Sequence, residues 1–382
     1  MKDFHLRQKK DIKIIITNAE FNCKVLGNGA KNIIAFHGFG QDGNSFLPIV
    51  SKNPEYTIYS IDLPFHGETI IHNSSLCLRH LEVIELVQKL ISSLERTKSK
   101  AHILFSSSSQ EEKDNPYGKS KKEGRILLEQ WALENGGFFT GLIIPNVFGP
   151  FGKPYYNSVV ATFSHQISHG ETPEIQVDGE LKLIYVGELV SEIIKKAKDK
   201  KNESLFTVPY TSIVKVSEIL NLLKNYKTEY QDKGEIPAIN NTFELNLFNT
   251  FRCYMDIANH FPVKFTQHKD PRGSFVEIIR LGIGGQVSFS TTVPGITRGN
   301  HYHTRKIERF AVIKGKALIQ LRHIGTNEVL DFYLDGNEPA YVDMPIWYTH
   351  NIKNIGEEVL YTNFWINEPY HEEDADTYFE EV

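Results

Sequence analysis

A set of histidine and glutamate residues with fixed spacing in residues 295–354 restricts the possible folds more than any other feature. His301 and His303 are separated by one residue, Glu308 follows after four more, and His350 comes much later. Because side chains on a strand alternate between its faces, both histidines of this H-x-H would point the same way. Three imidazoles and a carboxylate suit Zn, Fe, Ni or Mn. The pattern predicts a divalent-metal site on β-structure, and the open alternative is a polar barrel interior without metal.

The residues around these candidate ligands extend the pattern. Gly295 precedes the two histidines, and Gly315 follows the glutamate. The whole arrangement resembles the double motif of the cupins, with two departures, because Pro339 and Trp347 stand where the second motif usually has glycine. The resemblance implies an all-β barrel in which zinc or another divalent metal has four ligands: His301, His303, Glu308 and His350.

Composition limits the broad class of the protein. A chain of 382 residues should hold two or three domains. The net charge of −5 provides no basic surface of the kind that binds nucleic acid. Three scattered cysteines, Cys23, Cys77 and Cys253, indicate a reducing compartment. No apolar stretch of 18 residues occurs, so we expect no membrane span and a cytoplasmic protein.

Three regions follow one another, with expected boundaries at 1–97, 98–255 and 256–382. Strand and helix signals alternate up to about residue 225, which predicts a parallel sheet covered by helices. The periodicity weakens between 226 and 262, where we expect a linker, and short strands with turn residues follow. The C-terminal end carries acidic side chains that we expect to be solvated: Glu372, Glu373, Asp374, Asp376, Glu380 and Glu381.

The middle region contains a candidate catalytic group. Tyr117 and Lys121 are four residues apart at a helix start after Pro116, so they share a face. The lysine charge would lower the pKa of the phenol and make it a usable general acid. A hydroxyl from Ser107 or Ser108 could orient a substrate carbonyl. The four-residue spacing alone is weak evidence for catalysis, because a tyrosine and a lysine on the exposed face of a helix would give the same pattern.

The surrounding motifs make this interpretation more specific. A strand ending in serines, then D-N-P-Y-G-K-S-K (114–121) and P-N-V-F-G-P (145–150), resembles the extended short-chain dehydrogenase/reductases. From about residue 101 onward, the chain resembles the two-domain bacterial reductases that make the UDP-N-acetyl-L-fucosamine precursor of capsular polysaccharide. Further stretches carry this resemblance: Y-Y-N-S-V-V-A-T-F (155–163), P-G-I-T-R-G-N-H-Y-H (294–303) and D-T-Y-F (376–379).

The resemblance implies a function in two steps. The cupin domain would epimerise carbon 3 of a UDP-linked 4-keto-6-deoxy sugar, and the reductase domain would reduce the 4-ketone with NADPH. Tyr117 would protonate the keto oxygen, Ser108 would hydrogen-bond it, and Lys121 would hold the cofactor ribose. Lys306 and Tyr348 flank the metal motif and are candidate acid–base groups, although each could be a structural barrel residue. Members of the family form homodimers, and their cupin binds zinc.

Residues 1–97 depart from that family. H-G-F-G (37–40) and D-L-P-F-H-G (62–67) resemble the first third of an α/β-hydrolase. A serine hydrolase also needs a G-x-S-x-G elbow, whereas residues 106–109 are four serines without flanking glycines. Serine hydrolysis would therefore require an unexpectedly reactive hydroxyl there.

The same segment also permits a cofactor site. Gly38, Gly40 and Gly43 form a literal G-x-G-x-x-G after a strand, and Asp62 ends the next strand 19 residues beyond Gly43. This is the pattern of a dinucleotide loop with its ribose-binding acid. Asp62 would favour NADH over NADPH, because its charge repels a 2′-phosphate.

The expected architecture is a Rossmann-like parallel α/β sheet, truncated or hybrid at its N-terminal end, followed by an all-β cupin barrel. The first functional hypothesis is a UDP-sugar reductase and epimerase. The alternative is a cupin epimerase or sugar-binding protein that carries an inactive reductase remnant.

Overall fold

The computed structural model describes residues 9–16, 19–36, 43–61, 70–71, 80–107, 111–112, 114–266, 268–270, 273–275, 278–279, 285–368 and 372–382. The N-terminal elements are β1 (Lys9–Ile16), β2 (Ala19–Leu26), β3 (Lys31–Phe36), α1 (Leu47–Lys52), β4 (Tyr56–Ile61), β5 (Ile70–Ile71) and α2 (His80–Arg96). The first two strands form an antiparallel hairpin, and β3 pairs in parallel with β4. The sheet order is β1-β2-β4-β3, with β5 against β2.

The middle region continues the alternation of strands and helices. Its elements are β6 (His102–Ser107), α3 (Pro116–Asn135), β7 (Phe138–Ile143), β8 (Asn146–Phe148), α4 (Val159–Ser168), β9 (Glu180–Tyr185), α5 (Val186–Asp199), β10 (Glu203–Thr207), β11 (Ser212–Lys215) and α6 (Val216–Tyr226). Strand β7 pairs in parallel with β6 and β10, and β8 pairs in parallel with β9. The predicted parallel arrangement is confirmed, but it is divided: among the described residues, β3 ends one sheet and β6 ends another.

Helix α3 begins and ends where its sequence requires. The side chain of Asn115 accepts a hydrogen bond from the Gly118 amide at 2.8 Å, and Pro116 occupies the first turn. Gly136 ends the helix with a φ of 65°, a conformation that costs glycine little. Trp131 and Leu128 are buried against α2 and β6, which fixes the helix beside the serine-bearing strand.

The prediction of a linker between residues 226 and 262 is wrong, because this segment contains helices that pack into the core. A π-helical segment (Lys227–Asp232) is followed by α7 (Thr242–Arg252) and α8 (Ile257–His260). Leu247, Phe248 and Phe251 in α7 have no exposed surface. The amphipathic signal is weak because this helix is buried on several sides, including at its polar positions Asn249 and Thr250.

The C-terminal region is an antiparallel barrel of two five-stranded sheets. Its strands are β12 (Val263–Lys264), β13 (His268–Asp270), β14 (Gly273–Phe275), β15 (Gln286–Thr292), β16 (Thr297–Tyr302), β17 (Glu308–Lys314), β18 (Lys316–His323), β19 (Val329–Asp335), β20 (Ala340–Met344), β21 (Tyr348–Asn354), β22 (Leu360–Ile366) and β23 (Tyr378–Phe379). One sheet has the order β12-β20-β17-β22-β15, and the other has β19-β18-β21-β16-β23. Strands β13 and β14 form a separate hairpin. The predicted all-β C-terminal domain is confirmed.

The barrel packs tightly against the α/β region. Ile307 and Trp365 belong to the same apolar cluster as Phe248 of α7. A second cluster joins Tyr302 and Trp347 of the barrel to Val50 of α1 and its neighbours in the N-terminal sheet. None of the helices in the described part of the chain is long and apolar enough to span a membrane.

Candidate metal centre and reductase site

The four predicted metal ligands converge in the barrel. His301 on β16 pairs with His350 on β21, and Glu308 begins β17 in the opposite sheet. One donor atom from each of His301, His303, Glu308 and His350 can be chosen so that all lie within 4.8 Å of one another. Bond lengths to a transition metal of about 2.0–2.3 Å require such proximity.

The outer nitrogens of two histidines are held by backbone carbonyl groups. His303 Nδ1 contacts the carbonyl oxygen of Asp376, and His350 Nδ1 lies 3.2 Å from that of Tyr348. These contacts turn the Nε2 atoms of both rings toward Glu308, at 3.0 and 3.2 Å from its Oε2 atom. Hydrogen bonds from the outer ring nitrogen to a carbonyl oxygen orient metal-binding histidines.

Burial and mutual charge set the protonation of the cluster. Burial, followed by His350 and His303, lowers the pKa of His301 to about 3. Burial alone would lower the pKa of His303, but the charge and contact of Glu308 together with those of Asp376 raise it. Burial would raise the pKa of Glu308, but His303 and His350 hold it well below its usual value. The carboxylate is therefore charged and available as a ligand.

The donor set fits a metal ion. Among the described residues, His303 Nε2, His350 Nε2 and Glu308 Oε2 are buried and lack a well-formed hydrogen bond. Buried polar atoms are normally satisfied, so such atoms converging on one point indicate a missing partner. Three imidazoles and a carboxylate do not distinguish zinc from iron, nickel or manganese.

Sequence reasoning missed Asp376, because the acidic C-terminal end was expected to be solvated. That expectation is wrong for Asp376, which is buried, whereas Glu372, Glu373 and Asp374 are exposed. Its carboxylate accepts hydrogen bonds from the loop after His303, so its burial is compensated. The D-T-Y-F stretch (376–379), which is part of the family resemblance, was the signal that could have identified Asp376.

Lys306 and Tyr348 lie close to the ligands in the chain and have partners of their own. The Lys306 side chain is buried, and its Nζ atom donates to the Ala375 carbonyl at 2.7 Å. The ring of Tyr348 packs near Phe151 and His323, and burial raises the pKa of its phenol. Their roles as acid–base groups stay predictions.

The candidate reductase residues lie around the start of α3. Tyr117 is in the first turn of this helix, one turn before Lys121. The Lys121 Nζ atom donates to the Ser106 carbonyl at 2.8 Å, which ties the helix to the end of β6. Burial lowers the pKa of this lysine, and Glu111 opposes the shift. The Tyr117 side chain and Ser108 lie outside the described residues.

A buried ion pair that the sequence did not reveal supports this site. Glu111 accepts from Arg125 Nε at 3.0 Å and also from the Ser107 hydroxyl. Arg125 in turn donates to Ser204 of β10 at 3.1 Å. Ser107 is therefore bound to protein, which leaves Ser108 as the serine predicted to contact a substrate.

The proposed cofactor loop is mostly outside the described residues. This is true of Gly38, Gly40 and Asp62, whereas Gly43 begins a 3₁₀ turn (Gly43–Phe46) before α1. The role of these residues in cofactor binding stays a prediction.

Comparison with known proteins defines the class. Residues 82–205 match the NAD dependent epimerase/dehydratase family, and residues 268–378 match the polysaccharide biosynthesis C-terminal domain. Together with the parallel strands and the antiparallel barrel, these matches define a two-domain, NAD(P)-dependent enzyme of nucleotide-sugar metabolism.

The chain is 32% identical over 375 residues to the UDP-2-acetamido-2,6-beta-L-arabino-hexul-4-ose reductase of Pseudomonas aeruginosa, across 96% of this chain and 98% of that protein. It belongs to the family of this reductase. The match extends into the segment 1–97 as well.

Solved structures agree with this assignment. The capsular polysaccharide assembling protein CapF of Staphylococcus aureus is 32% identical, with a TM-score of 0.54 over 92% of this chain and 100% of that chain. CapF with the inhibitor 3-isopropenyl-tropolone is 30% identical, with a TM-score of 0.51 at the same coverage. By sequence, the chain is also similar to the spore coat polysaccharide biosynthesis protein SpsL of Bacillus subtilis, at 26% identity over 125 residues, 30% of this chain and 82% of that protein.

Proposed function

We propose that this enzyme reduces the 4-ketone of a UDP-linked 2-acetamido-2,6-dideoxy-hexulose with NADPH or NADH. Its cupin domain would epimerise carbon 3 of a UDP-linked 4-keto-6-deoxy sugar. The product would serve capsule or other surface polysaccharide biosynthesis. The observation that carries the proposal is the 32% identity to a reductase of such a sugar over 96% of the chain.

The reductase half would use the residues at the start of α3. A bound reduced nicotinamide would supply the hydride for carbon 4, and the Tyr117 phenol would give its proton to the keto oxygen. The ammonium of Lys121 would favour the phenolate and so lower the pKa of Tyr117. Ser108 would hydrogen-bond the keto oxygen and fix its orientation. Four residues are proposed to hold the cofactor together with Lys121: Gly38, Gly40, Gly43 and Asp62.

The cupin half would remove and return a proton next to the ketone. Negative charge then develops on the keto oxygen, and a nearby cation lowers the barrier by stabilising it. Zinc held by His301, His303, Glu308 and His350 would supply such a positive charge. Lys306 and Tyr348 are the candidate groups for moving the proton.

An assay with the nucleotide sugar tests the reductase proposal. The purified protein is mixed with the UDP-linked hexulose and NADPH or NADH, and the loss of reduced cofactor is followed. We expect Tyr117→Phe and Lys121→Met to reduce kcat by about 10²–10⁴-fold, because both remove acid catalysis. Lys122→Met, one residue away and exposed, is the matched control. A wild-type protein that consumes neither cofactor would contradict the proposal.

The alternative is a cupin epimerase or sugar-binding protein with an inactive reductase half. It is favoured by the hydrolase-like motifs in residues 1–97 and, among the described residues, by the separation of β3 and β6 into different sheets. A fluorescence titration with NADPH and NADH distinguishes the reductase proposal from this alternative. Saturable binding that Gly40→Trp abolishes supports the reductase. No binding, combined with proton–deuterium exchange at carbon 3 of the sugar, supports the alternative.

We also propose that the enzyme is a cytoplasmic homodimer. The cytoplasm is where UDP-sugars and reduced nicotinamides are available, and the scattered cysteines suit its reducing conditions. In support of a dimer, β15, which is at the edge of its sheet in the part of the chain that the structure describes, has Val287 and Phe289 at 56% and 70% exposure. An exposed apolar edge strand readily pairs with another chain.

A further inference from the structure

We propose that residues 372–382, the C-terminal strap, form part of the metal centre, and that Asp376 is the positioning residue through which the strap holds His303. This inference rests on the proposed metal-binding function of the barrel. It assigns a specific role to a segment that composition alone would describe as a solvated acidic end.

The carboxylate of Asp376 organises the loop between the ligands His303 and Glu308. It accepts hydrogen bonds from the backbone amides of Thr304, Arg305 and Lys306, at 3.2, 2.9 and 3.1 Å. The Thr304 hydroxyl also donates to it at 2.6 Å. Successive amides that surround one anion form a preorganised cradle, so this carboxylate fixes the path of the loop.

The backbone of the same residue touches a ligand directly. The carbonyl oxygen of Asp376 contacts His303 Nδ1, while His303 Nε2 faces Glu308. The ring thus donates one proton to the strap and is left with the other nitrogen for a metal. The Ala375 carbonyl accepts from Lys306 Nζ at 2.7 Å, which adds a second attachment of the strap to this loop.

The local conformation of Asp376 is specific. Its φ of 42° lies in the left-handed region, where aspartate and asparagine are tolerated better than most residues. Beyond it, Tyr378 pairs with Tyr302 in the β16–β23 ladder, and the two rings stack with centroids 5.3 Å apart. Tyr302 lies between the two histidine ligands in the chain, so the strap contacts the ligand strand as well as the ligand loop.

A strap that only covered a sheet edge would need the β23 ladder but not a buried carboxylate. The buried carboxylate instead satisfies three amides of the ligand loop. Residues that hydrogen-bond to metal ligands contribute about 10–100-fold to metal affinity. We therefore expect the strap to control how tightly the barrel holds its ion.

The test measures zinc binding by competition with a chromophoric chelator in the full-length protein, together with the rate of zinc loss. Asp376→Asn keeps the size, the tolerance of positive φ and the backbone carbonyl, but removes the charge. We expect about a tenfold or greater loss of zinc affinity and faster zinc release. Glu373→Gln is the matched control, because it removes the charge of an exposed carboxylate three residues away. We expect it to bind zinc as the wild-type protein does.

Thr304→Val provides a second variant if Asp376→Asn fails to fold. It removes one hydroxyl donor to Asp376 and keeps all three amides, so we expect a smaller loss of affinity in the same direction. Circular dichroism of the zinc-free proteins verifies that each variant retains the wild-type fold. Folded variants with wild-type zinc affinity would overturn the inference while leaving the metal centre intact. A wild-type protein that binds no zinc would instead overturn the metal centre and the role of the strap with it.

Discussion

At the scale of single residues, Glu111 connects the candidate reductase site to its supporting helix. It is 7% exposed and lies between Ser107 at the end of β6 and Arg125 in α3. A buried carboxylate needs such partners to remain charged. Its charge also acts on Lys121, whose pKa burial lowers and Glu111 partly restores.

We predict that Glu111→Gln shifts the pH profile of reduction. Loss of the carboxylate favours the neutral amine, so the pKa of Lys121 should fall further below its usual range. If the alkaline limb of kcat/KM reports the ammonium form, that limb should move to lower pH. The measurement is the pH dependence of kcat/KM for the wild-type protein, this variant and Glu112→Gln, an exposed neighbour. Superimposable alkaline limbs for all three proteins would contradict the prediction.

The sequence predicted which side chains converge at the candidate metal centre, but it did not predict the residues that support them. His301 lies near the C-terminal end of β16, His303 directly follows that strand, and His350 lies on the paired strand β21, so the short spacing carries much of the information. Glu111 with Arg125, and Asp376 with Thr304, are pairs that only tertiary packing brings together. No local periodicity encodes such pairs, and for this reason composition suggested a solvated end at Asp376.

At the scale of elements, the turn between β20 and β21 contains an unusual residue. Trp347 has a φ of 63°, where the cupin pattern usually has glycine. Its amide donates to the His303 carbonyl and its carbonyl accepts from Ile324, each at 2.9 Å. The side chain is buried against Tyr302 and the N-terminal sheet. Packing of the Trp347 side chain between the barrel and the N-terminal region therefore offsets the backbone strain of this turn.

We predict that packing outweighs strain at this position. Trp347→Ala should lose about 3–5 kcal/mol, the usual cost of removing a large buried aromatic side chain. Trp347→Gly should be about 1–2 kcal/mol more stable than Trp347→Ala, because glycine adopts positive φ without penalty. Urea unfolding of the three proteins gives both differences. A glycine variant more stable than the wild-type protein would show that strain dominates.

The alternation of strand and helix signals predicted the parallel pairing in the α/β region, which β3 with β4 and β6 with β7 show. Helix α7 was missed because several of its faces are buried by the α/β region and the barrel, so neither polar nor apolar positions alternate clearly. The position of this helix depends on a domain contact that the sequence does not express locally.

At the scale of the whole molecule, a buried network of charged side chains joins the barrel to the α/β region. Arg309 of β17 forms a bidentate pair with Asp343 of β20, at 2.8 and 3.0 Å. The Tyr230 hydroxyl donates to the same carboxylate, and Arg252 of α7 donates to Tyr230 at 3.2 Å. Burial would raise the pKa of Asp343, but Arg309, Arg252 and Tyr230 together lower it.

We predict that this network is essential for stability. Arg309→Met should destabilise the protein by about 3–5 kcal/mol, because Asp343 keeps its burial but loses its counter-charge. The exposed pair of Lys264 and Glu338, 2.7 Å apart, is the control, and Lys264→Met should change stability little. Urea unfolding followed by far-UV circular dichroism measures both. Equal stability of the two variants would contradict the prediction.

At the same scale, we predict that β15 forms the interface of the proposed homodimer. Phe289 is 70% exposed there, and a lysine at this position would make strand pairing with a second copy unfavourable. We expect Phe289→Lys to dissociate the proposed homodimer while the monomer stays folded, since this side chain contributes little to the barrel core. Sedimentation at several protein concentrations measures the association.

Tyr333→Lys is the matched control, because Tyr333 is a 67% exposed aromatic residue on β19, the edge strand of the other sheet in the described part of the chain. Dissociation by the Tyr333 variant alone would move the interface to β19, and a wild-type monomer at all concentrations would exclude the dimer.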